Sequence, residues 1–347
     1  MLEGGGVKPM GARIRQNSVM RKPLLAFSVV LLMVAPAAFA QKNMPKGAKG
    51  TVVHVANLYV QADESADKVS SVTPGRELVI AEHSGKWLRV FANTDVEVVT
   101  SSDAPVFGNE TNAQPISGWI LDKGVVTAET QNGDQILFGE AISMENLASA
   151  SDPPPDAAQS ARRLYRMVVD LFPQSPRAAE AMWRAADIRW QLQKADALSR
   201  PSAHEKENYL REQMDETEMK KIQKLYPHTK WADFAAFEML DNKVCGDWQG
   251  SEKCPEKEAD MYAKYADEHP DSPKAAQALY LAAWREACAG DMYQADNDER
   301  KSNDARARAK DLAGRAQAKY ADSDYAARAA GLVYKMEQQI PIYGSEN

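Results

Sequence analysis

Phe172-Pro173-Gln174-Ser175-Pro176-Arg177-Ala178-Ala179 recurs ninety-seven residues later as His269-Pro270-Asp271-Ser272-Pro273-Lys274-Ala275-Ala276. Two looser copies stand at Tyr226-Pro227-His228-Thr229-Lys230-Trp231-Ala232-Asp233 and Tyr320-Ala321-Asp322-Ser323-Asp324-Tyr325-Ala326-Ala327. A phrase used four times is a structural unit, and one that repeats over the C-terminal half points to an array of similar pieces. The pieces are helical. Tyr165, Val168, Val169 and Phe172 recur at helical spacing and make one apolar face ahead of the first copy.

Each part of the phrase has a physical role. Pro173 cannot continue a helix and marks its end. Ser175 stands where its hydroxyl would cap the next helix, with Pro176 at the first helical position, where proline gives up no hydrogen bond. Thr229, Ser272 and Ser323 occupy the same place in the other copies. Beyond the cap runs a column of small residues: Ala178/Ala181, Ala232/Ala235, Ala275/Ala278 and Ala326/Ala329. Small side chains three apart let one helix approach its partner closely, and larger ones opposite fill the seam. Those are Tyr165/Val168, Met219/Ile222 and Tyr262/Tyr265, with Ala313/Ala316 and no proline in the last copy. The last copy therefore reads as a worn terminal unit.

The pattern resembles tetratricopeptide (TPR) repeats, in the variety found in exported envelope proteins of the outer-membrane assembly and Tol-associated kinds. The resemblance covers residues 157–342, about four helix pairs. It implies a superhelix that binds other proteins on its concave face. The corners at 172, 226, 269 and 320 are 54, 43 and 51 residues apart, against the ~34 of a standard repeat. Extra loops are therefore expected to bulge at 195–206, 246–255 and 290–303.

The text changes character before the array. Val52-Val53-His54-Val55, Leu58-Tyr59-Val60, Leu78-Val79-Ile80-Ala81, Trp87-Leu88-Arg89-Val90-Phe91 and Gly118-Trp119-Ile120-Leu121 are short apolar runs, and Pro74-Gly75 and Ser84-Gly85 punctuate them as turns. Short strands with tight turns over 41–130 predict a small β-barrel. Asp152-Pro153-Pro154-Pro155-Asp156 reads as a stiff spacer inside a linker, 131–156, in which 136–148 can form a short helix.

Within the strands, Ala56-Asn57-Leu58-Tyr59-Val60, Pro74-Gly75-Arg76-Glu77-Leu78-Val79-Ile80, Ser84-Gly85-Lys86-Trp87-Leu88-Arg89-Val90 and Ser117-Gly118-Trp119-Ile120 resemble the successive strands of bacterial SH3-type (SH3b) domains. Tyr59-Val60-Gln61 replaces the family's usual Asn-Val-Arg, and a polar insertion at 93–116 separates the last two strands. The fold class expected is thus β followed by α: an SH3-like barrel, then an all-α TPR-like array.

The resemblance implies surface aromatics that bind extended peptides, including those of the cell wall. Tyr59, Trp87 and Trp119 are the candidates. Tyr59 alternates with Leu58 and Val60 and so should face outward. Trp87 and Trp119 have a second reading, as closers of the barrel core, and this is the preferred one.

Arg21-Lys22, the apolar run from Leu24 to Val34 and Ala38-Phe39-Ala40 form the pattern of a secretory signal peptide, with Met20 as its start and Gln41 as the first mature residue. The competing reading is an uncleaved signal anchor. The apolar run is shorter than the ~20 residues of a spanning helix. Residues 1–40 carry +4 of the chain's net −7, so the remainder carries −11. That balance disfavours nucleic acid as a partner. Three cysteines in an exported chain invite a disulfide. Cys245 and Cys254 enclose a Gly-containing loop, which leaves Cys288 over, although a 254–288 pairing stays open.

No His-Glu-x-x-His, Gly-x-Ser-x-Gly or phosphate-cradling glycine loop occurs. No catalytic residue, metal site or cofactor is expected. The reading is an exported periplasmic or extracellular adaptor that binds proteins of the cell envelope. Two others compete with it: a peptidoglycan-binding protein that grips through the barrel, and an accessory subunit that positions a cell-wall hydrolase.

Overall fold

A computed structural model describes residues 47–95 and 115–344. The expected signal segment, 1–40, and residues 96–114 of the expected insertion lie outside the described residues. The described residues form a β part followed by an α part within one compact unit.

Seven strands run through the first part: β1 (Ala48–Val52), β2 (Ala56–Tyr59), β3 (Lys68–Val72), β4 (Glu77–Ser84), β5 (Trp87–Ala92), β6 (Ile116–Leu121) and β7 (Val125–Thr127). Every pairing is antiparallel and the order is β3-β2-β6-β5-β4-β1-β7. The sheet is open, with β3 and β7 as its edges. Its inner face follows the two-residue period of a strand: Leu58, Leu78, Ile80, Leu88, Val90 and Ile120 are sealed together. The 84–87 hairpin turns at Gly85, whose φ of 59° suits glycine.

The α part holds nine α-helices among the described residues: α1 (Gly133–Ala148), α2 (Ala157–Leu171), α3 (Ala178–Ser199), α4 (Thr217–Leu225), α5 (Lys230–Glu238), α6 (Lys253–Glu268), α7 (Ala275–Ala295), α8 (Glu299–Lys319) and α9 (Asp324–Glu337). The residues expected as a linker thus contain α1. Leu137 and Phe138 of α1 share a core with Leu164 and Val168 of α2, and Val126 of β7 enters it. The prolines at 153–155 separate α1 from α2.

The four helices before the corners end alike. Phe172, Tyr226, His269 and Tyr320 end their helices with φ between −130° and −125° and ψ between 43° and 60°. In each the backbone N–H donates to the carbonyl four residues back, at 2.9–3.0 Å. The Tyr226 corner then departs: His228 has φ 61° and Thr229 Oγ1 donates to the Tyr226 carbonyl at 2.8 Å, where Ser175, Ser272 and Ser323 donate to the matching carbonyl through their backbone N–H. All eight alanines of the column are buried, as are Tyr165, Val168, Met219, Ile222, Tyr262, Tyr265, Ala313 and Ala316 opposite them.

The hydroxyls divide into two kinds. Thr229 and Ser323 are N-caps, accepting from the N–H of Ala232 at 3.3 Å and of Ala326 at 3.1 Å. Ser175 and Ser272 instead accept from the N–H two residues on, Arg177 and Lys274, both at 3.1 Å. The Ser-Pro copies make a turn first, closed from Ala178 N to Ser175 O and from Ala275 N to Ser272 O. Their helices begin at Ala178 and Ala275. So Pro176 and Pro273 sit in a turn and not at a first helical position.

The long spacing between corners is absorbed differently from the expectation. Residues 290–303 are not a bulge: α7 continues through Gly290 and α8 starts at Glu299. A side-chain carbon on Gly290 would meet Arg306 at 2.8 Å, and Ser302 donates to the Gly290 carbonyl at 2.7 Å, so the two helices cross closely here. Residues 200–216, with short 3-10 turns at Pro201–His204 and Asn208–Leu210, bond to residues 242–249. Arg211 Nη1 donates to Val244 O at 2.9 Å and Gly246 N to Lys206 O at 3.3 Å.

Candidate interaction surfaces

Strand register brings the three aromatic candidates to one face of the sheet, opposite the inner core. Tyr59 pairs with Trp119 across β2 and β6, and Trp119 pairs with Arg89 across β6 and β5. Trp87 is two residues from Arg89 and so shares that face. The rings of Tyr59 and Trp87 meet edge-on, centroids 5.7 Å apart. Neither tryptophan joins the inner core. Trp87 is buried all the same, at 6% exposure, while Tyr59 and Trp119 are half-buried. Lys86 Nζ lies 5.9 Å from the Trp87 ring centre and 2.9 Å from Glu64. Asn57 Nδ2 donates weakly to the Tyr59 hydroxyl at 3.4 Å. The result is an aromatic strip with charged margins, suited to stacking and to peptide contact.

A second surface lies along the seam of α3 and α5. Trp183 of α3 stacks on Trp231 of α5 at 5.1 Å, and Phe234 meets them at 5.1 and 5.6 Å. All three rings are half-buried, and Lys230 Nζ stands 4.5 Å over Trp231. The Trp183 Nε1 group finds no acceptor. One helical turn on, at i+4 from Trp183 and Phe234, stand Asp187 and Glu238. The Gln191 amide reaches both, at 3.0 Å to Asp187 and 3.5 Å to Glu238. One turn further, Lys194 bridges to Asp241 at 2.7 Å.

Burial pushes the Asp187 carboxyl up, against the lowering Gln191 bond, with Glu145 adding to the rise. Burial, then Asp187 and Asp241, push Glu238 up to about 7. Neither acid has a cation within ion-pair distance among the described residues. Sequence reasoning missed this seam. Its only signal was the four-residue spacing of Trp183 and Asp187, and of Phe234 and Glu238, off the alanine column.

A third feature is the loop closed by the Cys245–Cys254 disulfide, Cα–Cα 6.0 Å. Cys288 is buried within α7 and takes no part in this bond. Glu258, at 2% exposure, anchors the loop. Its carboxylate accepts from Cys245 N at 2.9 Å, Trp248 Nε1 at 3.1 Å and Arg285 Nε at 2.6 Å. Trp248 packs on Trp284 at 5.5 Å and stacks on Tyr343 at 6.1 Å. The loop thus ties α6, α7 and the C-terminal residues together.

Between α6 and α8 a cleft of about 300 Å³ is lined by Leu279, Pro270, Tyr320 and the Arg315–Asp267 ion pair. Among the described residues no group of three or more His, Cys, Asp or Glu side chains is placed to hold a metal ion, and no helix is long and apolar enough to cross a membrane. No protein-family model and no curated protein matches the chain.

Proposed function

We propose that this chain is an exported, non-enzymatic protein of the bacterial cell envelope that binds other proteins through its helical part. In this reading the helices are TPR-like repeats and the sheet is of the SH3b type. The observation that carries it is the corner. Four helix ends with one backbone geometry, each followed by a buried alanine pair, are what a repeat array needs to stack its units. The helices after the corners, α3, α5 and α7, present aromatic and charged side chains beside that seam. Such a surface has groups for recognition. Export is supported by the signal-like pattern ending at Ala40, and the Cys245–Cys254 bond suits an oxidising compartment.

The test is site-specific photocrosslinking in a bacterial host. Probes replace Trp231 on α5 and Leu281 on α7, with a control at Arg300 on the exposed side of α8. Protein adducts at the first two positions and none at the control are expected. Absence of adducts at both Trp231 and Leu281 would overturn the reading. N-terminal sequencing of the same protein should begin at Gln41.

The gathering of Tyr59, Trp87 and Trp119 on one face favours a second reading, in which the sheet binds cell-wall peptides. The chain from Gln41 should then co-sediment with purified sacculi, and Tyr59→Ala should abolish this while leaving the fold intact. Unchanged sedimentation by that variant removes the aromatic strip from consideration. Trp87→Ala is expected to cost about 3–5 kcal/mol of stability because the ring is buried.

A further inference from the structure

We propose that the α3/α5 seam seats a basic, apolar segment of a partner protein, its apolar side chain on the Trp183/Trp231/Phe234 rings and a lysine or arginine between Asp187 and Glu238. This rests on the reading of the helical part as a protein-binding array. Charge complementarity on a half-buried aromatic face favours this occupant. Among the described residues, the three cations that act most strongly on the two acids are engaged elsewhere. Arg184 pairs with Glu145 at 2.8 Å and Glu180 at 3.0 Å. Lys194 pairs with Asp241 at 2.7 Å. Lys274 donates to Gln277 at 3.2 Å and lies over the Phe237 ring at 5.2 Å.

What remains for Asp187 and Glu238 is one shared amide, that of Gln191. A single NH₂ group cannot satisfy two carboxylates, each with about four acceptor positions. An arginine brings five N–H donors in a plane and can also stack on an aromatic face. The rings and the acids are one turn apart, about 5.4 Å along the axis, within reach of neighbouring side chains of one peptide. Two carboxylates fall short of the six to eight oxygens that calcium takes.

The groups facing the acids set the pH response. They are Glu145 from α1, Arg184 and Lys194 from α3, Asp241 after α5 and Lys274 before α7. With Glu238 held to about 7 by its surroundings, an incoming cation meets a protonated carboxyl at pH 6 and an ionised one at pH 8. Binding should therefore strengthen as pH rises across this range.

The experiment is an array of random twelve-residue peptides probed with the chain from Gln41 and with its Asp187→Asn/Glu238→Gln variant. Bound peptides should be enriched in Arg or Lys beside an apolar residue. The variant should bind them about tenfold more weakly, a loss of roughly 1.4 kcal/mol, and lose the pH dependence between 6 and 8. Its thermal midpoint should be equal or higher, because the exchange removes a repulsion and keeps the shapes. Enrichment without basic residues, equal binding by the variant, or full displacement by spermidine at a concentration that leaves a neutral peptide bound would overturn the proposal. The last outcome would assign the seam to a free polyamine. If peptides ignore the seam while Leu281 still crosslinks to protein, only this inference falls. If neither Trp231 nor Leu281 crosslinks to protein, the wider reading falls.

Discussion

Ala278 has no exposed surface and sits in a seam whose opposite side is filled by Tyr262 and Tyr265. A larger side chain there has no room, and interiors packed at crystal-like density do not yield cheaply. Ala278→Leu is expected to lower stability by on the order of 3 kcal/mol, measured by denaturant unfolding, whereas Ala330→Leu on the exposed side of α9 should change it little. A small effect at Ala278 would show that the seam can spread. At this scale the sequence was most legible. The alanine column and its opposing residues follow from helical period alone, and all of them are buried. The capping hydroxyls were legible in position but not in detail. Whether Ser175 caps on its third neighbour or closes a turn depends on Pro176, which delays the helix to Ala178. Trp183, Asp187 and Glu238 were not legible, because their neighbourhood exists only once α3 and α5 dock.

Elements that depart from the repeat are held by long-range bonds, and the disulfide loop is the strongest case. Glu258 satisfies two loop donors and the Arg285 guanidinium at once, so its removal strands a half-buried cation and two N–H groups. Glu258→Ala is expected to cost about 3–5 kcal/mol, read as a lower unfolding midpoint. Cys245→Ser/Cys254→Ser should cost about 2–3 kcal/mol through loop entropy. It should also speed proteolysis within 200–216 and 243–253, which bond to each other, while α8 and α9 stay resistant. Equal cleavage of oxidised and reduced protein would mean that Glu258 holds the loop unaided. The Cys245–Cys254 spacing was enough to expect this bond. The mate of residues 200–216 was not, since nothing local in that stretch points to Asn242 or Val244.

The sheet and the helices meet at a contact built on the Pro74-Gly75 turn. Gly75 has φ 81°, and a side-chain carbon there would lie 2.5 Å from Arg163 Cβ and 2.6 Å from Leu164 N. Arg163, buried in α2, donates to the Pro74 carbonyl at 3.3 Å and to Ser160 Oγ at 3.0 Å. Gly75→Val should push the turn off α2 and split a single calorimetric unfolding transition into two, one for the sheet and one for the helices. A single unshifted transition would show that β7 and α1 carry the joint alone. A turn was legible at Pro74-Gly75, but its docking was not, because a proline-rich spacer at 153–155 suggests separation and says nothing of a return contact. The four corners have a wider consequence. Phe172, Tyr226, His269 and Tyr320 end their helices alike, and the two Ser-Pro copies also share the turn that follows, so the corners at Phe172 and His269 are interchangeable joints. A duplication or loss bounded by these two, residues 172–269, alters the chain by two whole helix pairs, α3 to α6, without inventing a new turn. Inheritance can then lengthen or shorten this molecule in steps, and the number of units becomes a trait that varies independently of how each unit is made.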